Sequence, residues 1–238
     1  MPTGPATALV TGASRGIGRA VAGRLAASGV LVAALARTAA ALADLARAHP
    51  DGRVVPLAAD LRDVGATARA VAAARTACGG APDLLVNNAG VFAVAPAHET
   101  DADAFAAVLD ANLAAPFRLV RALLPEMRAR GAGHVVTIGS VADRSVFPGN
   151  AAYAASKYGL RALHEVLRAE CRGTGVRCTL VSPGPVDTPL WDSLDPDHTE
   201  GFTPRAAMLA ADDVADAVLY VATRRPEVNV DELRLGRA

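Results

Sequence analysis

A tyrosine and a lysine stand four residues apart, at Tyr153 and Lys157. Lys157 is the only lysine in a chain with 24 lysine and arginine residues. Arginine presents a planar fork and lysine a compact ammonium, so one retained lysine suggests a position that needs the ammonium. A spacing of four places both side chains on the same face of a helix. The pair is therefore a candidate acid–base site, and the alternative is an ordinary surface lysine.

The chemistry of this pair depends on the pKa of the phenol. A free tyrosine has a pKa of about 10 and is a poor acid or base at neutral pH. A unit charge about 4 Å away in a partly buried site is worth about 4 kcal/mol, or roughly three pKa units. We therefore expect the ammonium of Lys157 to bring the pKa of Tyr153 to about 7.

A second group of candidates lies in a glycine-rich segment near the N-terminus. An apolar run at 6–10 leads into Thr11-Gly12-Ala13-Ser14-Arg15-Gly16-Ile17-Gly18 and then into a helical pattern. A strand, a tight turn and a helix N-terminus form an anion site, because unpaired N–H groups and the helix dipole face the ligand. The spacing differs from the standard Gly-x-Gly-x-x-Gly fingerprint, and a purely structural turn is the alternative.

The residues after the second predicted strand bear on which dinucleotide would bind. Sites that prefer NAD usually place an acid about 20 residues beyond the glycine turn, on the ribose hydroxyl. Here Arg37 follows the strand, and no acid appears before Asp44. Arg37 and Arg15 would instead favour a 2′-phosphate, so we predict NADP(H) in preference to NAD(H).

Bulk properties exclude several classes of protein. The chain has 238 residues, 52% of them apolar and 20% charged, with zero formal net charge, which predicts one sizeable domain over 1–238 and no nucleic-acid surface. The three cysteines lack metal or redox spacing and the five histidines are scattered, so no metal site is expected. We read no signal peptide or membrane span and expect a soluble, cytoplasmic protein.

Short apolar runs alternate with Ala/Leu/Arg-rich segments, which is typical of an α/β protein with a parallel sheet. Strands are predicted at 7–11, 31–35, 54–58, 84–87, 134–138, 177–182 and 228–234. Helices are predicted at 17–27, 39–48, 64–77, 101–130 (with a possible bend at Pro116), 151–170 and 211–222. A segment at about 187–208, rich in Pro, Asp and Thr, is either a substrate-side lid or an ordinary loop.

These segments, in this order along nearly the whole chain, resemble the classical short-chain dehydrogenases/reductases. The resemblance implies a Rossmann-type, doubly wound parallel sheet with helices on both faces. It implies catalytic roles for Ser140, Tyr153, Lys157 and Asn112. It also implies cofactor contacts from Gly12, Ser14, Arg15, Gly16, Ile17, Gly18, Arg37, Asp60, Leu61, Asn88, Ala89, Gly90, Tyr153, Lys157, Pro183, Gly184, Val186 and Thr188.

The same resemblance implies how the catalytic residues divide the work. Tyr153 protonates the developing alkoxide, and Ser140 hydrogen-bonds the same oxygen. Asn112 connects Lys157 to solvent through a water.

Several of these residues could also have a purely structural role. Ser140 could only end the fifth strand, and Asn112 could be a helix-interior residue that bonds locally. Asp60 could be a helix N-cap, Asn88 a turn former and Thr188 an ordinary loop residue.

The resulting hypothesis is an NADP(H)-dependent oxidoreductase acting on a small-molecule ketone, aldehyde or secondary alcohol. The alternative function is a non-catalytic NADP(H)-binding sensor or scaffold on the same fold. The C-terminal segment lacks the Asp-Gly-Gly ending common in ketoacyl reductases of the fatty-acid type, which weakens an acyl-carrier substrate. The family resemblance also implies a homodimer or homotetramer. Pocket candidates include Phe147, Leu190, Trp191 and Phe202, which suggest a mid-sized, partly apolar ketone.

Overall fold

Seven parallel strands form one sheet in the computed structural model, which describes residues 4–238. The strands are β1 (Thr7–Thr11), β2 (Leu31–Ala36), β3 (Val54–Ala58), β4 (Leu84–Asn87), β5 (Gly133–Ile138), β6 (Val176–Pro183) and β7 (Glu232–Leu235). Their order in the sheet is β3-β2-β1-β4-β5-β6-β7. The first six agree with the predicted strands to within one residue at each end.

Helices lie on both faces of the sheet, as the sequence predicts for a doubly wound fold. They are α1 (Gly16–Ala27), α2 (Ala39–Arg47), α3 (Val64–Cys78), α4 (Ala102–Leu109), α5 (Ala115–Ala129), α6 (Ala151–Cys171) and α7 (Ala211–Ala222). Side-chain caps fix two of the starts, because Asp63 accepts from the N–H of Ala66 and Asp101 accepts from that of Ala104. The Rossmann-type fold is confirmed.

The helices pack on the sheet through two hydrophobic cores, one on each face. Successive side chains of a strand point to opposite faces, so in β1 Val10 enters one core and Leu9 the other. The first core includes Leu25 of α1, Leu42 of α2 and Val218 of α7. The second is built by α3, α5 and α6 and includes Leu123 and Leu167. Helices thereby cover both faces of the sheet, and the ends of the strands are the places where side chains can form a site.

The predicted helix at 101–130 is interrupted by one wider turn. A π-helical turn at Asp110–Ala114 joins α4 to α5, so the irregularity precedes Pro116. Pro116 lies in the first turn of α5, where a missing N–H is tolerated. The expected bend at Pro116 is therefore replaced by this turn, which contains Asn112.

The last strand begins later than the predicted 228. The side chain of Asn229 takes the place of a backbone ladder: its Oδ1 accepts from Cys178 N at 2.9 Å and its Nδ2 donates to Cys178 O at 3.2 Å. Strand pairing then begins at Glu232 opposite Leu180. A single sequence does not show whether a residue pairs with the neighbouring strand through its backbone or through its side chain, so the start of this strand was placed too early.

Within residues 4–238, no helix combines the length and apolar character needed to cross a membrane.

Candidate active site

A cavity of about 890 Å³ opens at the carboxyl ends of the strands. The chain reverses its direction of winding between β1 and β4, and in open α/β sheets ligands bind at such a switch point. The cavity wall contains every site residue predicted from the sequence except Gly18 and Asn112. Residues separated by more than 170 positions in the chain are thus brought to a single site.

The glycine turn has no room for side chains. A Cβ on Gly18 would lie 2.3 Å from the carbonyl oxygen of Gly12 and 2.4 Å from Nδ2 of Asn88. Gly12 has a φ of +69°, a conformation that side chains disfavour. Gly18 therefore packs beneath the turn and lets Gly12 and Asn88 approach each other. Helix α1 starts at Gly16 with neither a side-chain cap nor an acid in its first turn, which fits an anion at this end.

Thr11 holds the glycine turn against the segment that follows β4. Its Oγ1 accepts from the N–H groups of Asn88 and Ala89, both at 3.0 Å, and donates to Val86 O at 3.2 Å. Nδ2 of Asn88 donates to Thr11 O at 2.9 Å. Asn88 is thus a bridge between two strands rather than only a turn former. Sequence reasoning included Thr11 in the turn but missed its role; a buried hydroxyl at a strand end was the available signal.

Three arginines lie at the glycine-turn end of the cavity, after β1, β2 and β3. Arg62 pairs with Asp60 at 2.6 Å, whereas Arg15 and Arg37 are exposed at the rim. The hydrogen bond from Arg62 and the charge of Arg37 lower the pKa of Asp60 to about 2. Asp60 is not the N-cap of α3, since Asp63 fills that role. Asp60 is therefore an ionised acceptor in the cavity wall.

Ser140, Tyr153 and Lys157 line the same part of the cavity. Ser140 follows β5, while Tyr153 and Lys157 lie one turn apart on α6. The Nζ of Lys157 donates to Ile138 O at 3.0 Å and lies 5.6 Å from the ring centroid of Tyr153. Lys157 is only 5% exposed, so the alternative of a surface lysine is wrong.

The pKa of Tyr153 differs from the expected value of about 7. Burial raises the pKa of Tyr153 to about 12, and a hydrogen bond with Ser140 lowers it only in part. The charge of Asp143 raises it further. Burial also lowers the pKa of Lys157 to about 8, against the effect of Asp143. The expected pKa of about 7 allowed for the attraction of the ammonium but not for desolvation of the phenolate, which is the larger effect on the pKa of Tyr153.

Asn112 lies in the π-helical turn and not in the cavity wall. Its Oδ1 accepts from Val91 N at 2.8 Å, and its Nδ2 donates to Val91 O at 2.9 Å and to Ser156 Oγ at 3.0 Å. The alternative of local helix bonding is wrong, because these partners lie outside its own helix. In this structure Asn112 anchors the segment after β4 to α6. The proton relay assigned to it by resemblance stays a prediction.

Aromatic rings cover the side of the cavity next to Tyr153. Phe92 meets Tyr153 edge-on with centroids 4.7 Å apart, and Trp191 meets Phe92 at 5.2 Å. Phe202 follows at 5.8 Å from Trp191. Trp191 and Phe202 were predicted from the sequence, but Phe92 was missed. Its position two residues after Gly90, at the carboxyl edge of the sheet, was the signal that could have identified it.

Ion pairs tie the segment at 187–208 to itself. The guanidinium of Arg205 contacts Asp187 at 2.6 Å and Asp192 at 2.7 Å. Its backbone N–H donates to Asp197 at 2.8 Å. These contacts place Thr188 against the glycine turn, where a Cβ on Gly16 would meet its Cγ2 at 3.0 Å. The segment contributes Trp191 and Phe202 to the aromatic wall, and its action as a lid stays a prediction.

A glycine turn at the switch point of a parallel sheet is the arrangement of dinucleotide-binding proteins. A family model described as short chain dehydrogenase matches residues 6–199, and the chain belongs to this family of oxidoreductases, which bind a nicotinamide cofactor.

Similar proteins agree in sequence and in structure. The chain is 38% identical over 226 residues to 2-(R)-hydroxypropyl-CoM dehydrogenase of Xanthobacter autotrophicus, with 90% of each chain covered. A solved metagenomic short-chain oxidoreductase in complex with NADP is 33% identical with a TM-score of 0.83, covering 98% of this chain and 96% of that one. The closed form of a serine dehydrogenase complexed with NADP+ is 30% identical with a TM-score of 0.86, covering 96% and 93%.

Proposed function

We propose that this protein is an NADP(H)-dependent oxidoreductase that reduces a ketone or aldehyde, or oxidises the corresponding secondary alcohol. The observation that carries the proposal is the position of Ser140, Tyr153 and Lys157 in one wall of the cavity that begins at the glycine turn. Nicotinamide, when bound, supplies or accepts the hydride. The protein must then hold the substrate oxygen and move one proton.

Tyr153 supplies that proton. A phenol whose pKa is about 12 keeps its proton at neutral pH, so it is a donor toward a developing alkoxide. Ser140 hydrogen-bonds the same oxygen and stabilises the charge that grows on it. Lys157, buried and with a pKa of about 8, is largely an ammonium at neutral pH and favours the phenolate left after proton transfer. Without ligand, Tyr153 and Lys157 are thus in the protonated forms that carbonyl reduction requires, which supports reduction as the favoured direction.

The residues of the cavity fit a dinucleotide with a 2′-phosphate. The close packing of Gly18 against Gly12 keeps the turn tight, and α1 begins there with neither a side-chain cap nor an acid in its first turn, so its N–H groups can face a phosphate. Arg15 and Arg37 are exposed cations at the same end, suited to hold a phosphate. Two of the similar solved structures contain NADP or NADP+, which supports the same preference.

The aromatic wall supports an uncharged, partly apolar substrate. Phe92, Trp191 and Phe202 form a continuous edge-to-face series that begins at Tyr153. Such rings favour flat or branched apolar groups through burial and ring contacts. A binding-only sensor would have no use for the acid–base set, which favours an enzyme over the scaffold alternative.

The test is reduced-nicotinamide consumption with a panel of aryl ketones, aliphatic ketones, keto acids and aldehydes. We expect turnover with NADPH exceeding that with NADH, and aryl or branched ketones exceeding keto acids. Absence of turnover on every carbonyl, with tight NADPH binding retained, would support the sensor function instead.

We also propose a homodimer or homotetramer in the cytoplasm. Exposed apolar side chains on α5 and α6 support association, among them Phe117, Tyr158 and Val166. The three cysteines are free thiols, which supports a reducing compartment. Light scattering after gel filtration tests the assembly; a monomer at all concentrations contradicts it.

A further inference from the structure

A buried carboxylate lies against the backbone of Gly139 and Ser140, next to the Ile138 carbonyl that accepts from Lys157. Asp143 is 1% exposed and ends the short 3₁₀ helix Val141–Asp143. Its Oδ2 accepts from the hydroxyl of Ser182 at 2.5 Å, and its Oδ1 pairs with Arg144 at 2.8 Å. Arg161 approaches the same oxygen at 3.7 Å. A charge taken out of water is costly unless it is paired, and Arg144 and Ser182 supply the partners of this carboxylate.

The contacts of Asp143 fix the backbone that carries Ser140. The hydroxyl oxygen of Ser140 accepts from Ala142 N at 3.1 Å, and Asp143 Oδ2 accepts from Ser140 N at 3.4 Å. The side chains of Ser140 and Asp143 thus cap the backbone at the start of the 3₁₀ helix. The fit is tight, because a Cβ on Gly139 would lie 2.6 Å from both Asp143 Oδ2 and Ser182 Oγ.

Further charges surround this carboxylate from two other elements. Arg161 of α6 pairs with Glu165 at 3.0 Å and with Glu232 of β7 at 3.3 Å. Arg144 also pairs with Glu232. Two guanidinium groups therefore connect three carboxylates in one network from the active site to the edge strand. Of these carboxylates, Asp143 is the one whose negative charge acts on both Lys157 and Tyr153.

That charge acts on both catalytic side chains in the same direction. The charge of Asp143 raises the pKa of Lys157, which burial lowers to about 8, and it adds to the rise in the pKa of Tyr153. A negative charge favours the protonated form of each group. Ammonium and phenol are the forms required for proton donation to a carbonyl.

We propose that Asp143 is a positioning residue of this active site, which holds Ser140 through its backbone and places a negative charge near the ammonium of Lys157. Its role in turnover rests on the proposed function, but its effect on Lys157 does not. Asp143 contacts neither substrate nor cofactor in this scheme and acts through Ser140 and Lys157.

The single lysine allows a direct measurement. Protein labelled with ¹³C at lysine Cε yields one side-chain resonance, and its chemical shift against pH follows the ionisation of Lys157 without substrate or cofactor. In Asp143→Asn we expect the midpoint to fall by about half a pH unit or more relative to the wild type. Asp216→Asn, which removes an exposed carboxylate paired with Arg24, is the matched control and should leave the midpoint unchanged.

Turnover supplies the second readout. For Asp143→Asn we expect kcat for reduction to fall about tenfold with KM nearly constant, and its alkaline limb to move to lower pH along with the lysine midpoint. If Asp143→Asn does not fold, Asp143→Asn/Arg144→Gln removes both members of the ion pair, and a smaller fall in midpoint in the same direction is expected because a cation is lost with the anion. An unchanged lysine midpoint in whichever variant folds overturns the proposal. A wild type without carbonyl turnover contradicts the proposed function alone, since the titration still decides the role of Asp143.

Discussion

Arg37 offers a quantitative test of the proposed cofactor preference. Arg37→Ala removes an exposed cation from the rim of the cavity without disturbing a core contact. A 2′-phosphate carries close to two negative charges at neutral pH, whereas the ribose hydroxyl of NAD(H) carries none. The loss should therefore fall on NADP(H) and spare NAD(H).

The size of the effect follows from the exposure of the side chain. A hydrogen bond to a charged group is worth about 1.5–3 kcal/mol, while an exposed ion pair is worth about 0–1 kcal/mol. Arg37 is exposed but would face a dianion, so we expect about 1–2 kcal/mol. This corresponds to a decrease of about 5- to 30-fold in the ratio of kcat/KM for NADPH to kcat/KM for NADH.

The assay is initial-rate kinetics with both cofactors at a saturating concentration of one carbonyl substrate. Arg47→Ala is the control, because Arg47 ends α2 and pairs with Asp44 away from the cavity. Arg15→Ala should reduce the ratio in the same direction, and its combination with Arg37→Ala should reduce it further. If Arg37→Ala alters the ratio by less than about twofold, or affects both cofactors equally, the phosphate contact is refuted.

Three further outcomes follow from packing, ion pairs and proton transfer. Gly18→Ala should lower the free energy of unfolding in denaturant by about 1–3 kcal/mol, because its Cβ would overlap Gly12 O. Gly23→Ala in the same helix should be neutral or stabilising. Equal effects of the two substitutions would contradict the close approach of Gly18 to Gly12. Arg205→Gln should raise the KM for the carbonyl substrate about 2- to 10-fold with a smaller change in kcat, since it releases Asp187 and Asp192. The control Arg225→Gln, at an exposed position, should change neither constant. A loss of kcat at constant KM would instead indicate that Arg205 takes part in the chemical step. The rate of alcohol oxidation should increase as the pH rises above neutrality, because Tyr153, with a pKa of about 12, must lose its proton before it can accept one. The rate of carbonyl reduction should not increase over the same range. An optimum for oxidation at neutral pH would contradict the role of Tyr153 as the proton acceptor.

The sheet was predictable because its strands carry their own signals. All six strands β1 to β6 appear in the sequence as short apolar runs between helical segments, and all but the edge strand β3 are largely buried on both faces. The terminal strand was misplaced because the amide of Asn229 replaces a stretch of ladder, which depends on where Cys178 lies in space. The π-helical turn at Asp110–Ala114 is a single irregular turn between two helices, and the sequence around it was read as one continuous helix.

The candidate active site was predictable where spacing alone defines the contact. Tyr153 and Lys157 share a helix face by their separation of four, and the structure places both in the cavity wall. Electrostatics were harder, because the pKa of Tyr153 depends on desolvation and on Asp143, a residue that sequence reasoning did not select. Phe92 and Asp143 act through tertiary contacts with distant elements, and such contacts follow from the fold rather than from local sequence.

The acid–base role of Tyr153 is tested most directly by Tyr153→Phe, with the exposed Tyr158→Phe on the same helix as control. NADPH affinity is measured by calorimetry and carbonyl reduction by single-turnover kinetics on the same samples. We predict that Tyr153→Phe binds NADPH like the wild type but reduces the carbonyl at least about 100-fold more slowly, while Tyr158→Phe matches the wild type in both. Reduction by Tyr153→Phe within about tenfold of the wild-type rate would contradict proton donation by this phenol.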